Sequence, residues 1–392
     1  MRHVVRPPVA PFRYQRTPVD SICGPFWRDL GRRSCGADVA GWLNATVPSR
    51  LAPSPGSSPE QPSMAPSISI AVMRTVVIGG TGHIGTFLIP QLVARGHDVI
   101  LLSRGQRSPY RSPGGWPRVR TVEVDREAED AAGTFGDLVA RLDAEVVVDL
   151  ICFTEDSARQ LGEALAGRVQ HLLHCGSIWV HGPSSAVPTR EDSPRRPLGE
   201  YGVAKAAIEL YLLSQARSGG VPATVIHPGH ITGPGWIPIN PAGNLDLGVF
   251  QDLADGNKVT LPNLGMETLQ HVHAADVAGV FVEAIAHRSV SVGESFHAVA
   301  SGAMTLRGYA EAVAGWFGRD ADLAFLPWER WSQTIPGDHA AVTWDHLTHS
   351  PHCSMDKTTR LLGFRPKYSA LDAAAEAVNA LLDDGRLVTR TV

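Results

Sequence analysis

The segment "TVVIGGTGHIGTFLIPQLVARGHDVILLS", residues 75–103, decides the predicted fold. "TVVI" is a short β-branched run, and glycines spaced G-x-x-G-x-x-G follow it at Gly79, Gly82 and Gly85. Apolar residues then recur at helical spacing up to Gly96, and "DVILL" is a second apolar run. This order predicts a β–α–β unit whose first turn is rich in glycine.

Glycine at these three positions suits one kind of ligand. It allows the turn to tighten, the backbone to approach a pyrophosphate and the helix to pack closely on the strand. Free N–H groups at the helix N-terminus then face the phosphates. The alternative is a purely structural glycine turn, but a second strand after the helix favours nucleotide binding. The segment therefore predicts an α/β protein with a Rossmann-type doubly wound parallel sheet. The length of the chain, 392 residues, also allows a second lobe, which we expect to be a smaller C-terminal substrate-binding lobe.

The end of the second strand selects the nucleotide. An acidic residue there would bind the 2′-hydroxyl group of NAD. Here the position is Ser103, followed by Arg104, so a 2′-phosphate would meet a cation and no carboxylate. We predict NADP, with NAD as the alternative if Arg104 is simply a solvated cation. "TVEVD" reads as a third strand that places Asp125 near the adenine, and the apolar "AEVVVDLICF", which includes Leu150, as a fourth.

A tyrosine and a lysine lie farther along the chain. Tyr201 and Lys205 are i and i+4 in "YGVAKAAIELYLL", so they share one face of a helix. A phenol has a pKa of about 10 in water, and we expect the cation one turn away to lower that pKa. Ser177 ends the apolar strand "VQHLLHCGS", at the carboxyl edge where parallel sheets bind ligands. The three side chains predict proton transfer at a carbonyl or alcohol beside a nicotinamide.

Five segments carry a resemblance to a known family. They are "GGTGHIG" (79–85), "GSIWVHG" (176–182), "YGVAK" (201–205), "HPGHITGPG" (227–235) and "HVHAADVA" (271–278). The chain resembles the extended, or atypical, short-chain dehydrogenases/reductases of the NAD(P)-dependent epimerase/dehydratase family. The resemblance implies catalytic roles for Ser177, Tyr201 and Lys205, and it places Pro228 beside the nicotinamide.

Several positions depart from that family's pattern. Its sugar-nucleotide dehydratases carry Asp and Glu after the Ser/Thr position, where this chain has Ile178 and Trp179, which cannot transfer protons. Its nucleotide-sugar epimerases grip the diphosphate with an Arg, and Leu269 aligns there. The usual Asn and Tyr before "G-P" are His230 and Thr232. These departures disfavour elimination and a UDP- or GDP-linked substrate.

The glycine turn, the strand ends and the Tyr–Lys pair supply the predicted cofactor contacts. These residues are Gly79, Thr81, Gly82, His83, Ile84, Gly85, Ser103, Arg104, Asp125, Leu150, Tyr201, Lys205, Pro228 and His230. The predicted substrate contacts are Ile178, Trp179, His230 and Trp236, with Trp328, Trp331 and Trp344 as further aromatic candidates. No metal is predicted, because Pro351 separates His352 from any helical face that carries His346 and His349.

Residues 1–72 differ from the rest of the chain. They are rich in Pro, Ser and Gly and carry a net charge of +4, against −8 for the remainder. We predict a disordered or non-native N-terminal extension with Met73 as the true start, the alternatives being a targeting peptide and a regulatory tail. The NAD(P)-binding domain is assigned to 73–228 and 266–290, and the substrate-binding lobe to 229–265 and 291–392.

Composition bears on the partners and the compartment. The acidic body argues against nucleic acid, and no apolar run approaches the roughly 20 residues of a membrane span. The five cysteines form no C-x-x-C pair, which is typical of reduced thiols in a cytoplasmic protein. The resemblance also suggests a homodimer through the helix around 201–217.

The first functional hypothesis is an NADP-preferring oxidoreductase acting at a carbonyl or alcohol of a small non-nucleotide substrate. Ser177 would polarise the carbonyl, and Tyr201, activated by Lys205, would be the acid or base. The second hypothesis is a nucleotide-sugar epimerase that uses the same three residues. The third is a non-catalytic nucleotide-binding or RNA-binding relative.

Overall fold

A parallel sheet forms the centre of the protein in a computed structural model, which describes residues 73–106, 109–110, 116 and 119–388. The strands are β1 (Arg74–Ile78), β2 (Asp98–Ser103), β3 (Arg120–Glu123), β4 (Val146–Asp149), β5 (His171–Cys175), β6 (Ala223–Pro228), β7 (His230–Thr232), β8 (Val259–Pro262), β9 (Thr268–Leu269), β10 (His271–His273), β11 (Ser295–Ala298), β12 (Met304–Thr305) and β13 (Leu323–Leu326). Within the described residues, seven strands make up this sheet, in the order β11-β6-β5-β4-β1-β2-β3. The predicted extension over residues 1–72 lies outside the described residues.

Helices cover both faces of the sheet. They are α1 (His83–Ala94), α2 (Arg126–Ala132), α3 (Phe135–Ala140), α4 (Glu155–Leu165), α5 (Gly199–Arg217), α6 (Leu247–Asp255), α7 (Ala274–Ala286), α8 (Arg288–Ser291), α9 (Leu306–Trp316), α10 (Trp328–Trp331), α11 (Gly337–His349), α12 (Asp356–Leu362) and α13 (Ala370–Asp383). One apolar cluster packs α1 and α7 on the sheet, and another packs α3, α4 and α5. The predicted doubly wound α/β fold is confirmed.

The strand order creates a crevice beside β1. The chain runs outward from β1 through β2 to β3 and then returns to β4, which pairs with the other side of β1. Ligands bind at such a reversal, outside the carboxyl ends of the strands. The glycine turn after β1 and the residues after β4 and β5 all lie at this edge.

The predicted substrate lobe has its own core, but its boundary needs correction. A third apolar cluster joins α6, α9 and α13, including Phe250, Tyr309 and Val378. However, β11, within the range 291–392 assigned to this lobe, pairs with β6 and completes the central sheet. In the predicted return segment, α7 packs on α1, whereas β10 pairs with β7 outside the central sheet.

Among the described helices, none combines the length and the apolar character that a membrane span requires.

Candidate active site

The glycine turn has the geometry of a phosphate-binding site. Gly79 adopts a φ of 79°, and a Cβ on Gly85 would lie 2.1 Å from the Gly80 carbonyl oxygen. Only glycine allows this contact between α1 and the turn. Gly82 caps α1 without a side chain, and the first turn holds no acidic residue. Since the first helical hydrogen bond is Thr86 N–H to Gly82 O, the first three amide groups of α1 are available to a phosphate, whereas the Gly82 N–H donates to Gly79 O at 3.2 Å.

The remaining predicted cofactor residues lie along the same edge. Ser103 ends β2, and exposed Arg104 follows it without an ion-pair partner among the described residues. Asp125 caps α2, where its carboxylate accepts the Glu127 N–H at 3.0 Å. Buried Leu150 follows β4, and Pro228 ends β6. These placements fit a dinucleotide lying across the crevice. Ile84 is part of the core, so that only its backbone can reach such a ligand.

Lys205 is held deep inside the site. It is 2% exposed, and its ammonium donates to the carbonyl oxygens of Cys152 and Cys175, each at 2.7 Å. Its Nζ atom lies 5.8 Å from the ring centroid of Tyr201 and 4.8 Å from that of Phe153. The ammonium is therefore bound to the loop after β4 and to the end of β5, and it sits over the tyrosine ring.

The expectation that Lys205 lowers the pKa of Tyr201 is wrong for this structure. Although 44% of Tyr201 is exposed, desolvation of its phenol raises its pKa to about 12, against a smaller lowering by a hydrogen bond with Ser177. The reason is geometric, because Lys205 is engaged by two carbonyl groups. The phenol is therefore protonated at neutral pH, as a tyrosine with its usual pKa of about 10 also is.

Ser177 is fixed from two sides. It is 7% exposed and caps the 3₁₀ helix Ile178–His181, where its hydroxyl accepts the Trp179 N–H at 3.2 Å. Its own N–H donates to Nδ1 of His227 at 3.0 Å, and Nε2 of His227 lies 3.0 Å from Glu209. No sequence pattern indicated this link from Ser177 through His227 to α5.

Around Tyr201 the structure forms a cavity of about 260 Å³, here called the Tyr201 cavity. Its lining brings together Ser177, Tyr201 and all four predicted substrate residues, which are Ile178, Trp179, His230 and Trp236. Trp236 stacks on His83 of the glycine turn, with ring centroids 4.8 Å apart. Among the described residues, no Asp, Glu, Lys or Arg lines this cavity. A neutral substrate oxygen could be held between Ser177 and Tyr201.

Comparison with known proteins identifies the family. The model of the NAD dependent epimerase/dehydratase family matches residues 75–298. The chain belongs to this family. The predicted family is thus confirmed, and the relatives that resemble this chain include reductases and epimerases.

Three relatives of this epimerase/dehydratase family member illustrate its range. The 2'-dehydrokanamycin reductase of Streptomyces kanamyceticus is 29% identical over 55% of this chain, which spans 58% of that reductase. A UDP-glucose 4-epimerase of Mycolicibacterium smegmatis is 29% identical over 65% of this chain and 86% of its own. The chloroplast stem-loop binding protein of 41 kDa b from Arabidopsis thaliana is 28% identical over 80% of each chain.

Solved structures show the same fold. The UDP-glucose 4-epimerase of Thermotoga maritima, solved with UDP-glucose, has a TM-score of 0.60 at 19% identity and covers 79% of this chain and 99% of its own. The Bordetella bronchiseptica enzyme WbmG, solved with NAD and UDP, also has a TM-score of 0.60, at 17% identity, covering 82% and 97%.

This epimerase/dehydratase family member carries histidines at its site that the sequence did not assign to it. His349 of α11 stacks on Trp179, with ring centroids 4.3 Å apart, and His346 lies edge-on to His230 at 5.0 Å. Burial lowers the pKa of His346 to about 4 and that of His230 well below its usual value. These rings are therefore neutral and act as flat walls. His352 lies beyond the end of α11.

The other departures from the family pattern also have a place in the fold. Leu269, aligned with the diphosphate-binding Arg of the epimerases, is 1% exposed and lies in the core of the substrate lobe. Trp331 is likewise core, at 1% exposed, and Trp328 packs against both Trp331 and Trp344.

Proposed function

We propose that the protein is an NADP-preferring oxidoreductase that transfers hydride at a carbonyl or alcohol of a small non-nucleotide substrate. The observation that carries this proposal is the Tyr201 cavity, where Ser177 and a protonated Tyr201 share a pocket that no charged side chain of the described residues lines. A substrate without a diphosphate suits such a lining, because a phosphate would need cationic partners.

Tyr201 is the proton donor in the direction of reduction. Its protonated phenol donates a proton to the carbonyl oxygen that becomes an alcohol. When bound, the nicotinamide coenzyme supplies or accepts the hydride. Ser177 holds the same oxygen through its hydroxyl group, and Lys205 links the loop after β4, at Cys152, to the end of β5, at Cys175.

His230 offers a further donor to the substrate. The Gln270 N–H donates to its Nδ1 at 3.3 Å, so the proton of the neutral ring lies on Nε2. Nε2 is buried and has no hydrogen-bond partner among the described residues. Because His230 lines the Tyr201 cavity, its N–H is suited to a second substrate oxygen.

The preference for NADP rests on Ser103 and Arg104. The family is NAD dependent, and neither of these residues would repel a 2′-phosphate, while exposed Arg104 is not engaged by any described carboxylate. Fluorescence titration with NADPH and NADH tests this. Arg104→Ala should weaken NADPH binding about tenfold and leave NADH binding unchanged; tight NADH with weak NADPH would reverse the assignment.

Replacement of the phenol tests the reaction itself. Tyr201→Phe keeps the ring and removes the proton, so NADPH-dependent reduction across a carbonyl panel should fall by at least about 10²-fold. Undiminished activity in this variant would exclude the mechanism. NADPH titration of the same variant is the control, because cofactor binding should persist.

The similarity to the Mycolicibacterium relative favours the epimerase hypothesis, but the site lacks a cationic residue, among those described, that would bind the diphosphate of a nucleotide sugar. Buried Leu269 cannot neutralise a phosphate, and the Tyr201 cavity offers no described Lys or Arg. Calorimetry with UDP discriminates between the two reactions, since clear saturable binding would favour the epimerase.

RNA binding is the third candidate, on the strength of the stem-loop binding relative, which aligns with 80% of this chain. Salt-dependent retention of an RNA hairpin on a filter, unaffected by Tyr201→Phe, would support it over the enzyme.

A further inference from the structure

A second cavity adjoins the active site. It has a volume of about 340 Å³ and shares Trp179 and Tyr201 with the Tyr201 cavity. Its other walls come from the start of α5 and from one face of α11, including Trp344. We call it the Trp344 cavity. Because both cavities include Tyr201, a substrate whose reacting oxygen lies at the phenol can extend into this space.

The charged residues that line the Trp344 cavity are all acidic among the described residues. Glu200 and Asp345 line it, and among the described residues no Lys or Arg does. Neither carboxylate forms an ion pair or accepts a side-chain hydrogen bond within the described part of the chain. Asp345 is exposed, and partial burial raises the pKa of its carboxyl group against a smaller lowering by His349. Two carboxylates are thus left for a ligand to neutralise.

His349 supplies a buried acceptor in the same wall. Its Nδ1 lies 2.6 Å from the Asp345 carbonyl oxygen, which can only accept, so Nδ1 carries the proton of the neutral ring. The lone pair on Nε2 has no partner among the described residues, and the residue is only 3% exposed. Thr348 donates its hydroxyl proton to the Trp344 carbonyl at 2.7 Å, which leaves its oxygen as an acceptor too. A ligand here must bring donors.

The aromatic walls add to this selectivity. Trp344 is 51% exposed, and the indole of Trp179 is held by its stack on His349. Indole faces attract cations, and an ammonium group has three donors and no acceptor. Carboxylates, a lone-pair nitrogen and indole faces are all complementary to such a group.

We propose that the Trp344 cavity binds a protonated amine of the substrate, so that the enzyme acts on amine-bearing carbonyls or alcohols. The link to the reacting oxygen rests on the proposed function, whereas the amine site does not. One feature favours an anion instead, namely the N-terminus of α5 at Gly199, but Glu200 in that first turn offsets the helix dipole.

Binding of three matched sugars tests the proposal. Glucosamine, glucose and glucuronate present an ammonium, no charge and a carboxylate on closely related rings. Isothermal calorimetry on the full-length enzyme saturated with NADP, below the pKa of the amine, should show glucosamine binding about tenfold tighter than glucose. That factor corresponds to two partly solvated ion pairs and a cation–π contact. Glucuronate should bind more weakly than glucose.

Substitutions test whether the preference for glucosamine over glucose arises in the Trp344 cavity. In the double variant Glu200→Gln with Asp345→Asn, glucosamine should bind no better than glucose, and Glu163→Gln, which removes an exposed carboxylate on α4, should leave the preference intact. His349→Phe keeps a ring against Trp179 and removes the acceptor, so it should reduce the preference about threefold. Thermal unfolding checks that each variant folds.

Each other result overturns the amine site. Equal affinity for glucosamine and glucose, tighter binding of glucuronate, a preference that survives in the double variant, or no saturable binding of glucosamine would each do so. Failure of the proposed function is separable, because it appears as full reductase activity in Tyr201→Phe whatever the calorimetry shows.

Discussion

Substitution of Glu209 tests the link that holds Ser177. The Glu209 carboxylate is 4% exposed and accepts two hydrogen bonds from Arg195, at 2.6 and 2.8 Å. It also lies 3.0 Å from Nε2 of His227, whose Nδ1 accepts the Ser177 N–H. Burial alone would raise the pKa of Glu209, but His227 and Arg195 hold it well below the usual range.

The expected cost of Glu209→Gln follows from these contacts. Removing one member of a buried ion pair costs about 3–5 kcal/mol. The Arg195 side chain is 25% exposed, and Gln keeps one acceptor oxygen, so we expect the lower end, about 3 kcal/mol. Because Ser177 loses its support, kcat/KM for reduction should also fall about tenfold.

Urea unfolding at neutral pH measures this free energy, with Glu163→Gln as the exposed control, expected to change stability by less than about 0.5 kcal/mol. The pH dependence has a definite sign. A carboxyl group with a lowered folded pKa stabilises the protein above its unfolded value of about 4.3, and loses this stabilisation as the pH falls. The difference between wild type and Glu209→Gln should thus narrow in acid. A loss below about 1 kcal/mol with unchanged kcat/KM would refute the reasoning.

Three further predictions concern other parts of the protein. An ultraviolet pH titration of the wild type, from which that of Tyr201→Phe is subtracted, reports the ionisation of the Tyr201 phenol. Its midpoint should lie well above the usual tyrosine pKa of about 10, and a midpoint near neutral pH would contradict the raised pKa. Gly85→Ala drives a Cβ to 2.1 Å from the Gly80 carbonyl oxygen, so NADPH fluorescence titration should show binding weakened at least about tenfold; wild-type affinity would disprove the close contact. Leu210, 74% exposed, and Val203, 53% exposed, form an apolar surface on α5, where we expect two copies of the chain to pair. Analytical ultracentrifugation should show a wild-type dimer that Leu210→Lys converts to a monomer. A monomeric wild type would exclude this interface.

The sequence predicted features that depend on local pattern or on the topology of parallel strands. The glycine turn is local, because the spacing of Gly79, Gly82 and Gly85 reflects contacts within one β–α unit. Ser177 and His230 meet because parallel strands bring their carboxyl ends to one edge. These features required only the strand order.

Other features depend on contacts that no local pattern encodes. The four residues of β11 carry no periodic signal distinguishing a central strand from a lobe segment, so its sheet was assigned wrongly. The i, i+4 spacing brings Lys205 near Tyr201, but the carbonyl groups of Cys152 and Cys175 set the direction of its ammonium group. The stack of His349 on Trp179 joins segments 170 residues apart, and only the packing of α11 reveals it.

The shared indole of Trp179 makes the size of the substrate site depend on one side chain. Trp179 lies in the lining of both the Tyr201 cavity and the Trp344 cavity, and His349 fixes its orientation. A smaller residue there would widen the passage between the two spaces beside Tyr201, while the sheet, the glycine turn and the phenol stay in place. Trp179 therefore limits the width of a substrate that spans both cavities, and a single codon change could admit bulkier molecules.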